Sequence, residues 1–247
     1  MGLSTSTNKQ HKGLDGFHTD CGHCEHRNTS VICRAKHEFL EEINLQKVCN
    51  FYKKGQVIFN EGSHPFGVYC INDGKIKLSH LGDDGKEQIV RLLRGGDILG
   101  YRALLSGDRY SSSAVALEDT KVCFIPKELF VTALKNDAGM AFEMMKLLSD
   151  ELHKAETKIT HLAQKPVRER LAETLLFIKE TYGFESDSQT LNVRLSREEI
   201  ANLVGTATES TIRLLSEFKK DGLIDLDGKK IKILKPRDLL RVANIQD

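Results

Sequence analysis

Cysteine is the residue of this sequence with the widest range of chemistry, and its spacing is uneven. Three of the six cysteines lie within thirteen residues near the N-terminus, and the other three are dispersed. They are Cys21, Cys24, Cys33, Cys49, Cys70 and Cys123. The polar N-terminus lacks the apolar centre of a signal peptide, so we expect a cytoplasmic protein. A disulfide framework is not expected in that reducing compartment, and the crowding needs another explanation.

Bulk composition excludes several classes of protein. The chain has 247 residues and a formal net charge of +1, so charge alone does not indicate a nucleic-acid partner. No apolar run is long enough to span a membrane. We find no nucleophile beside a general base and expect no enzyme. Residues 1–20 are polar and predict a disordered tail.

The middle of the chain, residues 51–126, is typical of β structure. Short runs rich in β-branched residues alternate with glycines, which favours a sandwich or roll of many short strands. The predicted strands are residues 56–59, 67–71, 75–81, 88–93, 112–117 and 122–125. A helical stretch is expected before them, at residues 37–48.

A long helix is predicted next, over residues 127–163. Its apolar residues follow at alternating steps of four and three, which is the seam of a coiled coil. The seam consists of Ala141, Met145, Leu148, Leu152, Ala155, Ile159 and Leu162. So narrow a stripe predicts pairing with a second copy of the chain. The alternative is packing against the chain's own β region.

Beyond Pro166, which must end that helix, the pattern indicates a helix-turn-helix. A helix is expected at residues 167–181. Ser196 and Glu199 have the spacing of a capping box, which starts a short helix over residues 197–203. Gly205 supplies a tight turn, and a second helix is expected over residues 206–221 and ended by Gly222.

The second of these helices carries residues suited to reading DNA bases. Thr208, Glu209, Ile212 and Arg213 lie off the stripe that faces the domain core. Arg213 can donate two hydrogen bonds to guanine, and Glu209 can accept one from cytosine. An ordinary Glu209–Arg213 surface pair remains an alternative. So does a second capping box formed by Thr206 and Glu209.

Phosphate contacts are expected around the same element. After Gly222, Asp227-Gly228 separates two alternating runs and predicts a hairpin, which would form a basic wing beside the recognition helix. The candidates for phosphate contact are Ser196, Thr206, Ser210, Lys229, Lys230 and Lys232.

These motifs resemble the Crp/Fnr superfamily of regulators along essentially the whole chain. The resemblance is carried by Lys54-Gly55-x-x-Ile58-Phe59-x-x-Gly62, Gly74-Lys75-Ile76-Lys77, Gly95-Gly96-Asp97-Ile98-Leu99-Gly100 and Glu209-Ser-Thr-Ile-Arg213-Leu-Leu. It implies an α+β fold: a cyclic-nucleotide-binding-like β roll (residues 21–126), a dimerisation helix (127–165) and a winged helix-turn-helix domain (166–247). It also implies a homodimer that binds palindromic promoter DNA and contacts RNA polymerase, with no membrane partner.

The cyclic-nucleotide-binding members of that family carry a Gly-Glu-Leu turn and a later Arg-Ser pair. Here Gly100-Tyr101-Arg102 and Tyr110-Ser111-Ser112 stand in those places. The Glu for ribose and the Arg for phosphate are both missing. A buried phosphodiester would lack its charge partner, so cyclic AMP is not expected as the effector.

The N-terminal segment resembles the oxygen-sensing Fnr branch, which holds a [4Fe-4S] cluster on four cysteines. Carried over residue by residue, the ligands are Cys21, Cys24, Cys33 and Cys123. The gap between Cys24 and Cys33 is longer than in the branch's best-known pattern. Zinc or haem, with His23, His26 or His37 as further ligands, and no metal at all therefore stay open. Cys49 and Cys70 are interpreted as small core residues.

The sequence thus predicts a DNA-binding regulator that responds to oxygen, redox state or nitric oxide through a cluster. Two alternatives remain. One is a regulator of the same family without a cluster that binds another small ligand in the β roll. The other is a cyclic-nucleotide-binding module whose C-terminal domain contacts proteins.

Overall fold

The structure is a computed structural model that describes residues 20–245. The predicted disordered tail lies outside the described residues, apart from Asp20. The chain enters through two short 3₁₀ turns, Cys21–His23 and Ile32–Arg34, which are followed by helix α1 (His37–Gln46). Together these elements form a cap on one side of a β roll.

The β roll consists of two antiparallel four-stranded sheets. One sheet has the order β1-β8-β3-β6, and the other has the order β2-β7-β4-β5. The strands are β1 (Val48–Tyr52), β2 (Val57–Phe59), β3 (Gly67–Asp73), β4 (Lys75–Leu81), β5 (Glu87–Arg94), β6 (Ile98–Leu99), β7 (Ser113–Ala116) and β8 (Thr120–Pro126). The six predicted strands are confirmed. Strands β1 and β6 were not predicted, and the helix expected over residues 37–48 extended wrongly to Val48, the first residue of β1.

Helix α2 (Tyr101–Ser106) lies between β6 and β7, and two helices follow the roll: α3 (Lys127–Asn136) and α4 (Ala138–Gln164). The single long helix expected over residues 127–163 was wrong, because the helix is interrupted at Asp137 and two helices form instead. That residue has extended backbone angles, and its side chain accepts a hydrogen bond from Met140 N–H. An N-cap of this kind starts a new helix instead of extending the old one.

The C-terminal domain is α5 (Val167–Tyr182), α6 (Arg197–Val204), α7 (Thr208–Lys220), the hairpin β9 (Ile224–Asp227) and β10 (Lys230–Ile233), and α8 (Pro236–Val242). Its buried core continues into the β roll through Ile89 and Leu92 of β5. Tyr182 Oη donates to the Leu93 carbonyl at 3.2 Å. The predicted α+β architecture of roll, long helix and winged helix-turn-helix is confirmed. Within the described part of the chain, no helix is long and apolar enough to cross a bilayer.

Candidate DNA interface and cysteine-lined cavity

Helices α6 and α7 pack against each other as a two-helix unit. The Ser196 hydroxyl accepts from Glu199 N–H at 3.0 Å, and the Glu199 carboxylate accepts from Ser196 N–H at 2.8 Å, so the predicted capping box is present. Gly205 ends α6 with a φ of +73°, a left-handed conformation that disfavours other residues. The unit therefore presents α7 at a fixed angle to its neighbour.

Helix α7 buries one face and exposes another. Thr211, Leu214, Leu215 and Phe218 are buried, as the stripe predicted. Glu209, Ile212 and Arg213 are exposed on the other side, and an exposed Ile fits contact with a thymine methyl group. Thr208 is half-buried at the first turn. The base-contact assignment of these four residues stays a prediction.

The Glu209–Arg213 surface pair, which was the alternative to base contact, does not form in the structure. Arg213 Nη1 instead lies 2.6 Å from Glu217 Oε1, one turn further along α7. Among residues 20–245, Glu209 has no hydrogen-bonding or ionic partner. The Glu209 carboxylate and the Arg213 guanidinium therefore both face solvent. The Arg213–Glu217 ion pair is exposed, so Arg213 can exchange Glu217 for a DNA base.

The predicted phosphate contacts differ in how freely they can act. The N-cap of α7 is Ala207 and not Thr206, so the alternative capping box of Thr206 and Glu209 was wrong. Thr206 and Ser210 are half-buried around the first turn of α7. The Ser196 oxygen accepts within the capping box, and its O–H remains available to donate.

The wing carries three lysines in different surroundings. Lys230 Nζ is 3.0 Å from Glu185, and Lys232 Nζ is 3.7 Å from Asp187. Lys229 is exposed at the tip of the hairpin and has no partner within the described chain. All three stay candidates for phosphate contact, but only Lys229 can bind a phosphate without breaking an ion pair.

We expect Lys229→Ala to lower the dependence of DNA affinity on salt. Each phosphate neutralised per half-site adds about 0.9 to the slope of log K against log salt, so the variant should lose about that much. Lys232→Ala is the matched control and should lose less, because Lys232 already faces Asp187. The check is affinity for one DNA fragment across a salt series. Equal losses for both variants would contradict this difference.

One residue near the wing escaped the sequence analysis. Arg197, the first residue of α6, donates from Nη2 to the Gly228 carbonyl at 2.9 Å, so it ties the wing tip to the start of the helix-turn-helix. Its Nη1 is buried and has no hydrogen-bond partner within residues 20–245. The capping-box spacing marked Arg197 only as the first helical residue, and nothing local in the sequence points to the wing.

Helix α4 uses two faces. Met140 and Met144 are buried against the roll, and Glu151 pairs with Arg91 of β5 at 2.9 Å. The predicted seam lies on a different face. Met145, Leu148, Leu152, Ala155, Ile159 and Leu162 are exposed, and Ala141 is half-buried. Most of the seam therefore does not pack on the chain's own β region, and an apolar stripe of this kind marks an interaction surface.

Five of the six cysteines meet at one small cavity between the N-terminal segment and the sheet. Cys21, Cys24 and Cys33 line it from the segment, and Cys70 and Cys123 line it from β3 and β8. The rest of the lining is Ile32, Ile125, Lys47 and Asn72. The four predicted cluster ligands are thus brought together, with Cys70 as a further thiol that the sequence analysis had assigned to the core.

Two nitrogen donors point at sulfur atoms in this cavity. Lys47 Nζ donates to Cys21 Sγ at 2.7 Å, and Asn72 Nδ2 lies 3.7 Å from Cys24 Sγ. Burial, followed by the nearby Cys70, raises the pKa of the Cys33 thiol to about 12. Burial raises the pKa of Cys70 to about 12 as well. In this form the buried thiols are neutral, and losing their protons would require a positive partner such as a metal centre.

Cys123 has a second partner that was not expected. Its sulfur is joined to Cys49 of β1 in a disulfide, and Cys21, Cys24, Cys33 and Cys70 are free thiols. The sequence analysis argued only against a disulfide framework, and it did not predict this single pair because β1 was not recognised as a strand. Strand pairing places Cys49 directly opposite Cys123.

The histidines considered as further ligands do not line the cavity. His23 Nδ1 is 2.8 Å from Asp20, and His37 Nδ1 is 3.6 Å from Glu41. The His26 ring lies where a side chain at Gly95 would be, so it fixes the segment against the β5–β6 turn. Among residues 20–245, no three His, Cys, Asp or Glu side chains are grouped as ligands of a single metal ion.

The N-terminal segment that carries Cys21, Cys24 and Cys33 also contacts the start of α4 through a hydrogen bond and an ion pair. Asp137 Oδ2 accepts from Lys36 N–H at 2.7 Å, while Oδ1 of the same carboxylate accepts from Met140 N–H at 3.1 Å. Arg34 pairs with Glu143 at 2.7 Å. One carboxylate therefore fixes both the segment that carries Cys33 and the first turn of the helix that carries the seam.

We expect Asp137→Ala to destabilise the protein by about 2–4 kcal/mol, since it removes an N-cap and a second charged hydrogen bond. Asp137→Asn keeps the shape but has one acceptor oxygen in place of two, so it should cost about half as much. Chemical denaturation measures both values. Equal stability of all three proteins would contradict the double contact.

The same contact predicts a pH dependence. Burial acts to raise the pKa of Asp137, but hydrogen bonds from Lys36 and Met140 outweigh it and hold the pKa below its ordinary value. A lowered native pKa stabilises the fold above the ordinary pKa, and this contribution is lost as the pH falls through the native value. The stability gap between wild type and Asp137→Asn should therefore narrow below about pH 4.

Comparison with known proteins decides which family has this arrangement. The cyclic nucleotide-binding domain family matches residues 49–137, and the Crp-like helix-turn-helix domain family matches residues 169–242. An anaerobic regulatory protein of Bacillus subtilis is 32% identical over 216 residues, which cover 87% of this chain and 90% of that protein. The chain belongs to the Crp/Fnr family of DNA-binding transcription regulators.

Two further Crp/Fnr relatives agree with this assignment. A fumarate and nitrate reduction regulatory protein of Vibrio cholerae is 29% identical over 230 residues, which cover 90% of this chain and 91% of that protein. The crystal structure of a crp/fnr family regulator from Eubacterium rectale superposes with a TM-score of 0.70 at 23% identity, covering 85% of this chain and 95% of that one, and supports the fold. Members of this family are regulators and not enzymes, and they bind DNA as dimers.

Within this Crp/Fnr fold, aromatic side chains occupy the interior of the β roll. The Tyr110 ring stacks on Phe59 with centroids 3.9 Å apart, and Tyr69 lies 5.6 Å from the same Phe59 ring. Tyr101, in the turn that differs from the nucleotide-binding pattern, is buried, and its hydroxyl accepts from Arg91 at 3.1 Å. These aromatic rings are thus part of the packing inside the roll.

Proposed function

We propose that this protein is a dimeric regulator that responds to oxygen or nitric oxide through a [4Fe-4S] cluster on Cys21, Cys24, Cys33 and Cys123. The observation that carries the proposal is the cavity where three segment cysteines meet Cys123 of β8. Two relatives support it by name, as an anaerobic regulatory protein and a fumarate and nitrate reduction regulatory protein.

The donor set fits this group. Thiolate sulfur is the ligand that iron–sulfur clusters require. Cys21 accepts a hydrogen bond from Lys47, and such donors to sulfur tune a cluster. Each thiolate of a cluster binds a different iron, so its ligands need not converge on one point as ligands of a single ion do. When bound, a cluster of this type supplies reactivity toward oxygen and nitric oxide.

The chain's own contacts suggest how the cavity controls DNA binding. When Cys21, Cys24 and Cys33 are tied to Cys123, the segment stays in place, and Lys36 and Arg34 hold the first turns of α4. Release of the segment removes both contacts. The seam then loses its orientation, the dimer weakens, and two recognition helices no longer bind one promoter together.

The remaining parts of the proposal follow from the exposed surfaces. The α4 seam pairs two copies, and the base-contact residues of the two α7 helices read the halves of a palindromic site. We also propose that the bound dimer contacts RNA polymerase and works in the cytoplasm, where promoters are. The packed roll interior supports a sensor that does not use cyclic AMP.

Anaerobic purification tests this assignment most simply. The protein should be coloured and contain about four irons and four sulfides per chain, and Cys24→Ser should lose them. Cys49→Ser is the control, since Cys49 is a buried cysteine outside the proposed ligand set, and it should keep its iron. A colourless protein without iron that still binds promoter DNA would contradict the cluster, and so would zinc in place of iron.

A further inference from the structure

Three cysteines lie side by side across one sheet of the roll. In the order β1-β8-β3, Cys49 is opposite Cys123, and Cys123 is opposite Cys70. Directly opposed residues project from the same face of a sheet. Cys123, the only sheet residue in the proposed ligand set, therefore has a thiol-bearing neighbour on each side.

These two neighbours have different surroundings. The Cys49 and Cys123 Cα atoms are 4.0 Å apart, the short spacing typical of a non-hydrogen-bonded pair, and their sulfurs are joined. Cys70 Sγ instead lies 3.5 Å from Ser30 Oγ and faces the cavity. Cys49 does not line the cavity, whereas Cys123 lines it even when it is bonded to Cys49. The bond therefore uses the Cys123 sulfur and leaves no free thiol at that position for a metal centre.

We propose that Cys49 and Cys123 are a reversible thiol–disulfide pair that forms in the cluster-free protein and takes Cys123 out of the ligand set. The pairing itself stands on strand register and on the disulfide. Its consequence, that the oxidised protein must be reduced before it can rebuild a sensor, rests on the proposed function. Cys123 can therefore either bind a cluster or form the disulfide with Cys49, but it cannot do both at once.

The chemistry balances with a peroxide as oxidant. The Cys49 and Cys123 thiols give up two electrons and two protons, and the S–S bond forms between them. Hydrogen peroxide accepts both electrons and both protons, its O–O bond breaks, and two waters leave. A dithiol or a phosphine supplies the two electrons for the return step.

Mapping of free thiols tests the pairing. Cluster-free wild type, treated with peroxide and then alkylated, should carry four labels, on Cys21, Cys24, Cys33 and Cys70, with a linked peptide pair that contains Cys49 and Cys123. Cys49→Ser should show no such link and a label on Cys123. Cys70→Ser is the matched control, because Cys70 flanks Cys123 on the other side, and it should keep the link.

Full labelling of Cys49 and Cys123, or a link from Cys123 to any other cysteine, would overturn the pairing. Iron uptake tests its consequence. Peroxide-treated wild type, offered ferrous iron and limiting sulfide, should take up severalfold more iron after phosphine reduction, and Cys49→Ser should show no such gain. An equal gain in both would overturn this role. If the link forms but no iron ever binds, the cluster proposal fails while the pairing stands.

Discussion

A Leu152→Asp variant is expected to be monomeric and to bind a palindromic DNA fragment about 10²–10⁴-fold more weakly than wild type, which is the usual gain from joining two binding modules. Leu152 lies at the centre of the α4 seam, and 61% of its surface is exposed in the single chain. In a dimer the two carboxylates would face each other across an apolar interface without cations to pair them.

Light scattering and a DNA titration measure the two effects of this change. His153→Asp is the matched control, since His153 is exposed on the same turn of α4 but off the seam, and it should remain dimeric with near wild-type affinity. The fold of Leu152→Asp should be intact, because no core contact is removed. A dimeric Leu152→Asp with unchanged affinity would show that the chains associate through another surface.

Arg213→Ala is expected to cost about 1–3 kcal/mol per half-site and to relax the sequence preference at one base pair. The Arg213 guanidinium is exposed, and its partner Glu217 lies behind it on α7. A guanine can take the place of that carboxylate and accept two hydrogen bonds from the planar group. Alanine keeps the helix and removes only these donors.

Glu217→Gln provides the comparison for Arg213. It removes the negative charge that competes with DNA for Arg213, so its affinity should equal or exceed that of wild type. Selection from a pool of randomised half-sites measures the preference of each protein. If Arg213→Ala keeps the wild-type preference at every position, α7 is not the reading helix.

Local signals in the sequence predicted the elements that local chemistry determines. The Ser196–Glu199 capping box, the turn at Gly205 and the Asp227-Gly228 hairpin are all present. The exposed seam of α4 also follows from its spacing alone. In each case a few adjacent residues specify the backbone, so the pattern can be recognised without the rest of the fold.

Contacts between distant residues could not be predicted in this way. Asp137, which caps α4 locally, also accepts a hydrogen bond from Lys36, 101 positions away. The Cys49–Cys123 pair depends on the register of strands separated by 74 residues. Pairing of the wing lysines with Glu185 and Asp187 depends on how a loop folds back onto the hairpin. None of these long-range contacts produces a periodic pattern in the sequence from which it could be predicted.

Affinity for a palindromic promoter fragment, measured without oxygen and again after air exposure, tests the central claim most directly. Wild type should bind tightly as a dimer under anaerobic conditions and lose most of its affinity as iron is released, whereas Cys24→Ser should bind weakly under both. Equal affinity of wild type before and after air, with iron lost, would contradict control of DNA binding by the cysteine-lined cavity.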